Sequence, residues 1–99
     1  MIENVYSGLN YVYLLRCRDG SLYCGWTTNL EKRLAKHNRG QGAKYTRSRL
    51  PVALVYFEEY ADRHKALVRE RQIKGMRRDA KVSLIRNSPA GDPGPNGEE

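Results

Sequence analysis

The chain has 99 residues, enough for one domain and too few for two, and a domain of this size buries only about two-thirds of its unfolded surface. Its formal net charge of +7 is unevenly spread: residues 88–99 hold three acids (Asp92, Glu98, Glu99) and no base, which leaves eighteen bases against eight acids in residues 1–87. A body this basic favours a polyanionic partner, nucleic acid first, because each phosphate contact releases condensed counterions. No apolar run approaches the ~20 residues of a membrane span, no basic helix has the broad apolar face of a membrane-surface binder, and Met1 to Asn10 lacks the pattern of a secretory signal. Cys17 and Cys24 form neither a CxxC pair nor any zinc-ligand spacing. They read as reduced thiols of a cytoplasmic protein, without zinc and without a membrane partner.

Residues 11–17, YVYLLRC, and 21–26, SLYCGW, have the tyrosine and aliphatic content of strands, and Arg18-Asp19-Gly20 between them makes a β-hairpin. Two registers are open to it. A two-residue turn at Asp19-Gly20 would place Tyr13 and Tyr23 on opposite faces. A three-residue loop puts Gly20 at the left-handed position such loops require, and pairs Cys17 with Ser21, Leu15 with Tyr23 and Tyr13 with Gly25. It also partitions the hairpin into an apolar face (Val12, Leu14, Leu22, Cys24, Trp26) and a polar-aromatic face (Tyr11, Tyr13, Tyr23, Gly25, Thr27), with open space at Gly25 beside Tyr13. The three-residue loop is therefore expected. The plain alternative for the two tyrosines is that they only pack.

A first helix follows, with Thr28 and Glu31 as a capping box, Leu30, Leu34 and His37 along one face, and Gly40 at its end. Arg33 and His37 lie one turn apart on this helix; the plain alternative is a solvated basic side. Residues 38–51, NRGQGAKYTRSRLP, read as a loop carrying Arg39, Lys44, Tyr45, Arg47 and Arg49. Residues 52–57, VALVYF, form a continuous apolar run expected to be a central strand. Asp62 can cap a second helix ending near Gly75, and a short third helix is expected over 78–86. In the second helix Glu70 falls four residues after Ala66 and three before Ile73, inside an apolar stripe. A carboxylate is costly to bury unpaired, so Glu70 either pairs with an arginine or lines a cleft and meets a cation. From Ser88 on, SPAGDPGPNGEE has no large apolar residue and is expected to be a disordered tail. The expected organisation is one α/β (α+β) domain over 1–87, a small three-stranded antiparallel sheet flanked by about three helices, followed by the tail 88–99.

With the two tyrosines, the helix arginine and the glutamate in place, residues 10–86 resemble the GIY-YIG nuclease superfamily, and in particular its short stand-alone bacterial members. Tyr11-Val12-Tyr13 stands for the first motif and Tyr23-Cys24-Gly25 for the second; YCGWTTNLEKRLAKH looks like the second motif running into the first helix, with Arg33 at the arginine position. Glu70 falls where the family carries its metal-binding glutamate. The resemblance implies metal-dependent hydrolysis of a nucleic-acid phosphodiester, DNA before RNA, structure-selective and related to repair or recombination, with a protein partner as one means of targeting. It implies a divalent ion, Mg²⁺ first and Mn²⁺ second, on Glu70. Tyr13 would act as general base or orient the water, Tyr23 would hydrogen-bond water or phosphate, Arg33 would clamp the phosphate and His37 would relay a proton. A tyrosine with the ordinary pKa of ~10 needs roughly 4 kcal/mol of differential stabilisation to be half ionised at pH 7. Lys44, Tyr45, Arg47 and Arg49 would grip the backbone, Tyr45 by stacking on a base; the plain alternative is a solvated loop. The chain departs from the family pattern at Tyr11, where glycine is usual, at Trp26, where some repair nucleases place a lysine, and between Asp79 and Arg86, which hold no asparagine. These departures define the rival reading, a nucleic-acid-binding module of the same fold with little or no catalysis.

Overall fold

The computed structural model describes residues 8–88. The segment expected to be a disordered tail lies outside the described residues from position 89 on, as do residues 1–7. In chain order the elements are β1 (Asn10–Arg16), β2 (Leu22–Thr27), α1 (Leu30–Asn38), α2 (Lys44–Arg47), β3 (Ala53–Tyr60), α3 (Arg63–Lys74) and α4 (Arg78–Asn87). The three strands form one antiparallel sheet in the order β2-β1-β3. No described helix is long and apolar enough to cross a membrane.

The hairpin adopts the three-residue loop. Gly20 has φ 88°, the Gly20 amide donates to the Cys17 carbonyl at 2.8 Å, and the Cys17 amide donates to the Ser21 carbonyl at 2.8 Å. The pairs Leu15–Tyr23, Leu14–Cys24 and Tyr13–Gly25 follow. Side chains alternate across the sheet, so Tyr13 and Tyr23 share a face.

Both faces of the sheet are covered. Val12, Leu14, Cys24 and Val55 meet Ala66 and Ile73 of α3 and Ile85 of α4. Tyr13, Leu15, Cys17 and Val52 form a second buried cluster against Leu30 and Leu34 of α1. The face expected to be polar-aromatic is thus a second core. Leu15, which shares the Tyr13 face, supplies part of its apolar area, and each large aliphatic buried there is worth about 1.5–3 kcal/mol. The space expected beside Gly25 is filled by the Tyr13 phenol itself, and a Cβ at Gly25 would overlap its hydroxyl end.

Three further expectations are corrected. β3 is an edge strand, and β1 is central. The VALVYF run is apolar throughout because it feeds both cores, aided by a register shift opposite Leu14/Leu15 that lets Val55 and Tyr56 serve the α3 side together. The N-cap of α1 is Asn29, whose side chain accepts from the Lys32 amide at 3.0 Å, in place of the Thr28–Glu31 box. The stretch read as a loop contains the one-turn helix α2, so the described residues hold four helices. That turn is too short for periodicity; it closes through the Ala43 carbonyl, which accepts from the Thr46 and Arg47 amides at 3.2 Å. Helix α3 starts as expected, with the Asp62 carboxylate accepting from the His64 amide at 2.8 Å, and ends at Gly75.

Candidate active site

The residues expected to act together gather where α1 covers the β1–β2 hairpin. Tyr13 is 2% exposed and His37 is 1% exposed. The Tyr13 hydroxyl is hydrogen-bonded to His37 Nε2 at 3.1 Å, and His37 Nδ1 to Thr46 Oγ1 at 2.9 Å. The Thr46 hydroxyl donates to the Ala43 carbonyl at 3.0 Å. Tyr23, half-buried, lies edge-on to the His37 ring with centroids 5.3 Å apart and 6.5 Å from the Tyr13 ring. Its other neighbour is Tyr45, stacked at 6.1 Å. Gly42 lies so close to His37 that a Cβ there would overlap the imidazole, with the ring Cγ only 2.7 Å away.

Arg33 is half-buried one turn before His37, and its guanidinium donates to the Trp26 carbonyl at 3.3 Å, across the start of α1. Burial pushes the Tyr13 phenol up to about 12, with the Arg33 guanidinium acting in the opposite direction. Burial also raises Tyr23; beyond that, Lys74 and Arg33 pull its pKa down while Glu70 and Cys24 push it up. His37 is held below its ordinary value, first by burial and then by the charges of Arg33 and Lys36.

Glu70 reaches the same region from the other side of the sheet. β2 is an edge strand, and α3 packs against β1 and β2, so the Glu70 carboxylate acts on Tyr23 and Cys24 of β2. Its side chain is 18% exposed and pairs with Lys74 Nζ at 3.3 Å, one turn along the same helix. The partner is thus a half-exposed lysine, not an arginine. Tyr13, Tyr23, Arg33 and His37 lie on the α1 side of the β2 edge and Glu70 on the α3 side. Among the described residues no three His, Cys, Asp or Glu side chains gather as metal ligands. A hard cation that keeps several waters and binds the substrate phosphate needs only one or two carboxylates, and Glu70 fits that demand. Cys24, on the opposite hairpin face to Tyr13, is buried with its thiol pushed up to about 12 and is no thiolate ligand.

The basic segment 44–49 sits at the mouth of this region. Lys44 and Arg47 are exposed. Tyr45 is 39% exposed, and the Arg49 guanidinium lies 3.9 Å from its ring centroid. Arg49 is also tied to Asp19 of the hairpin turn at 3.0 Å and to the Tyr45 carbonyl at 2.7 Å. Trp26 packs beside the α3-side core with Arg63 5.0 Å from its ring centroid. Thr46 and Lys74 were not singled out by the sequence. The signal for Thr46 was indirect: a histidine on the apolar face of α1 needs a polar partner for each ring nitrogen once buried.

Residues 9–83 match the GIY-YIG catalytic domain. The chain belongs to the GIY-YIG family. Nucleases of this family typically use a divalent metal ion. Curated relatives include a UPF0213 protein of Clostridium perfringens, 57% identical over 77 residues that make up 78% of this chain and 83% of the relative. Another, from Haloquadratum walsbyi, is 52% identical over 75 residues, 76% of this chain and 84% of the relative. The chain is similar to the solution NMR structure of a UPF0213 protein from Bacillus halodurans, with a TM-score of 0.52 at 42% identity over 78% of this chain and 82% of that one. A second NMR structure, of a protein from E. faecalis, gives a TM-score of 0.54 at 42% identity over 76% and 80% of the two chains. Tyr13 and Tyr23, the two tyrosines that carry the motif resemblance, both face α1.

Proposed function

We propose that this GIY-YIG protein is an endonuclease that hydrolyses phosphodiester bonds in DNA, selecting substrates by structure in repair or recombination. The observation that carries the reading is the convergence of Tyr13, Tyr23, Arg33 and His37 on one side of the β2 edge with Glu70 on the other. Glu70 would hold the divalent ion, Mg²⁺ first. When bound, that ion supplies charge stabilisation for the phosphoryl and departing oxygens.

The chain's own residues supply the proton path. Burial pushes the Tyr13 phenol up to about 12, which disfavours a standing phenolate as the base. Tyr13 works instead as a relay: its oxygen takes the proton of the attacking water while its own proton passes to His37 Nε2, 3.1 Å away. His37, neutral because burial and neighbouring positive charge depress its pKa, is the terminal acceptor. Arg33 can give its remaining donors to a phosphate, which its planar fork fits better than an ammonium would. Tyr23, between His37 and Tyr45, presents its hydroxyl to water or phosphate. Lys44, Tyr45, Arg47 and Arg49 form the backbone-gripping rim. No base-reading element stands among the described residues, and the proposed selectivity is therefore for shape or through a protein partner.

The deciding test compares wild type with Glu70→Ala on single-stranded, nicked, flap and branched DNA in Mg²⁺ or Mn²⁺. Wild type is expected to cleave at least one substrate and Glu70→Ala to cleave none. Cleavage unchanged by Glu70→Ala would remove the metal assignment. Salt-sensitive binding without product in either metal would establish the rival binding module.

A further inference from the structure

We propose that Thr46 is a positioning residue that fixes the His37 tautomer, so that Nε2 is left bare to receive the Tyr13 proton. The inference rests on the catalytic reading of Tyr13 and His37, but its central claim concerns where a proton sits and is measurable without cleavage.

The hydrogen bonds determine the tautomer by their order. Thr46 has one hydroxyl hydrogen, directed at the Ala43 carbonyl at 3.0 Å. Its oxygen therefore faces His37 Nδ1, 2.9 Å away, as an acceptor, and Nδ1 carries the hydrogen. A neutral imidazole has one N–H, so Nε2 is an acceptor and the Tyr13 hydroxyl donates to it at 3.1 Å. The chain runs in one direction, from Tyr13 O–H to His37 Nε2, from His37 Nδ1–H to Thr46 Oγ1, and from Thr46 O–H to Ala43 C=O.

The opposite tautomer would put an N–H against the Tyr13 oxygen and close the route for its proton. In the forward direction the balance is simple. The O–H bond of Tyr13 breaks, an N–H bond forms at His37 Nε2, and the imidazolium charge is stabilised by the Nδ1–H···Oγ1 bond already in place.

Two features indicate that the arrangement is built. Thr46 is fully buried at 0% exposure, in a one-turn helix whose other residues are exposed. Gly42 approaches the imidazole so closely that any side chain there would displace the ring from Thr46. The segment from Gly42 to Thr46 thus holds His37 through a missing side chain and a single hydroxyl.

The test is a long-range ¹⁵N–¹H correlation spectrum of the full-length ¹⁵N-labelled protein at about pH 8, where imidazole is neutral. The exposed His64 serves as internal reference. Wild type is expected to show Nδ1 protonated and Nε2 bare on His37. Thr46→Ser should keep that pattern, and the near-isosteric Thr46→Val should lose it. In the cleavage assay Thr46→Val should fall about 10- to 100-fold, less than the about 10²- to 10⁴-fold lost with a general acid or base itself, while Thr46→Ser stays near wild type. An Nε2–H tautomer in wild type overturns the proposal, and that measurement stands even where Thr46→Val fails to fold. A Thr46→Val protein that folds and keeps the Nδ1–H form overturns it too, as does one that switches tautomer and cleaves at the wild-type rate. A wild type inactive on every substrate yet holding the Nδ1–H tautomer would refute the nuclease reading while leaving the assignment of Thr46 to the tautomer intact.

Discussion

Two hydrogen-bonded tyrosine clusters lie on opposite faces of this sheet, and they differ in what receives the phenol proton. On the α3 side Tyr60 donates to Glu58 Oε1 at 2.6 Å, Tyr56 donates to Oε2, and Arg69 closes both oxygens from α3 at 2.9 and 3.0 Å. The carboxylate is kept below its usual range by these donors, against the burial that raises it. On the α1 side Tyr13 meets a neutral imidazole. Tyr13 and Tyr56 are both raised to about 12, so the shift alone does not distinguish them. The partner does. Glu58 is already neutralised by a bidentate guanidinium and has no use for a proton, whereas His37 can accept one and is flanked by Tyr23 and Arg33 near the β2 edge. A perturbed tyrosine is a candidate for chemistry only where its partner can complete the transfer.

The comparison breaks most visibly at the hydroxyls. Tyr13→Phe is expected to lower cleavage about 10²- to 10⁴-fold, with a folded protein by circular dichroism, because it removes the first member of the relay. Tyr56→Phe should leave the cleavage rate within about twofold. Equal losses from the two variants would show that the clusters do not differ in role. Gly25→Ala comes next. Its Cβ overlaps the Tyr13 hydroxyl end, and shifting that ring within a closed core should cost about 1–3 kcal/mol in urea unfolding and reduce cleavage as well. Arg69→Ala should cost about 1–3 kcal/mol, because it strips the charged partner from a half-buried carboxylate, and should leave the cleavage rate of the folded fraction unchanged. A change in rate with Arg69→Ala would join the two clusters functionally.

The division between faces was partly legible in the sequence. The left-handed demand at Gly20 set the hairpin register, and the register put Tyr13 and Tyr23 together. Asp62, Gly40 and the stripe through Ala66 and Ile73 marked helix ends and the buried face of α3. What stayed hidden depended on tertiary covering. The Tyr13 face read as polar-aromatic because its residues are polar at the tip, yet phenols bury well once each hydroxyl has a partner. The β3 run could not reveal an edge strand, since residues feeding cores on both faces look alike at the edge and at the centre. Asn29 is the stronger single cap, but only Thr28 stands three residues before a glutamate, so two local signals pointed to different positions. The Glu58 cluster joins β3 to α3 through a side-chain pairing with no local periodic signature. Thr46 became meaningful only when α2 was folded back onto His37.

The smallest expected effect bears on the neutral character of the α1-side cluster. His37 is held below the ordinary imidazole value by burial and by Arg33 and Lys36, so the unfolded chain takes up a proton near pH ~6.5 while the folded chain waits until lower pH. In that window the unfolded state binds more protons, and stability rises with pH. Stability present above pH ~6.5 should therefore decline as pH falls below it. His37→Gln should flatten that part of the urea-midpoint profile. The α3-side cluster moves in the same direction but lower, because the Glu58 carboxyl is depressed from the carboxylate range and loses its contribution only as pH falls toward its folded value. Two separated acid steps, the upper one removed by His37→Gln and the lower one by Glu58→Gln, would show that the two faces titrate independently. A single step abolished by either variant would show that the sheet couples them.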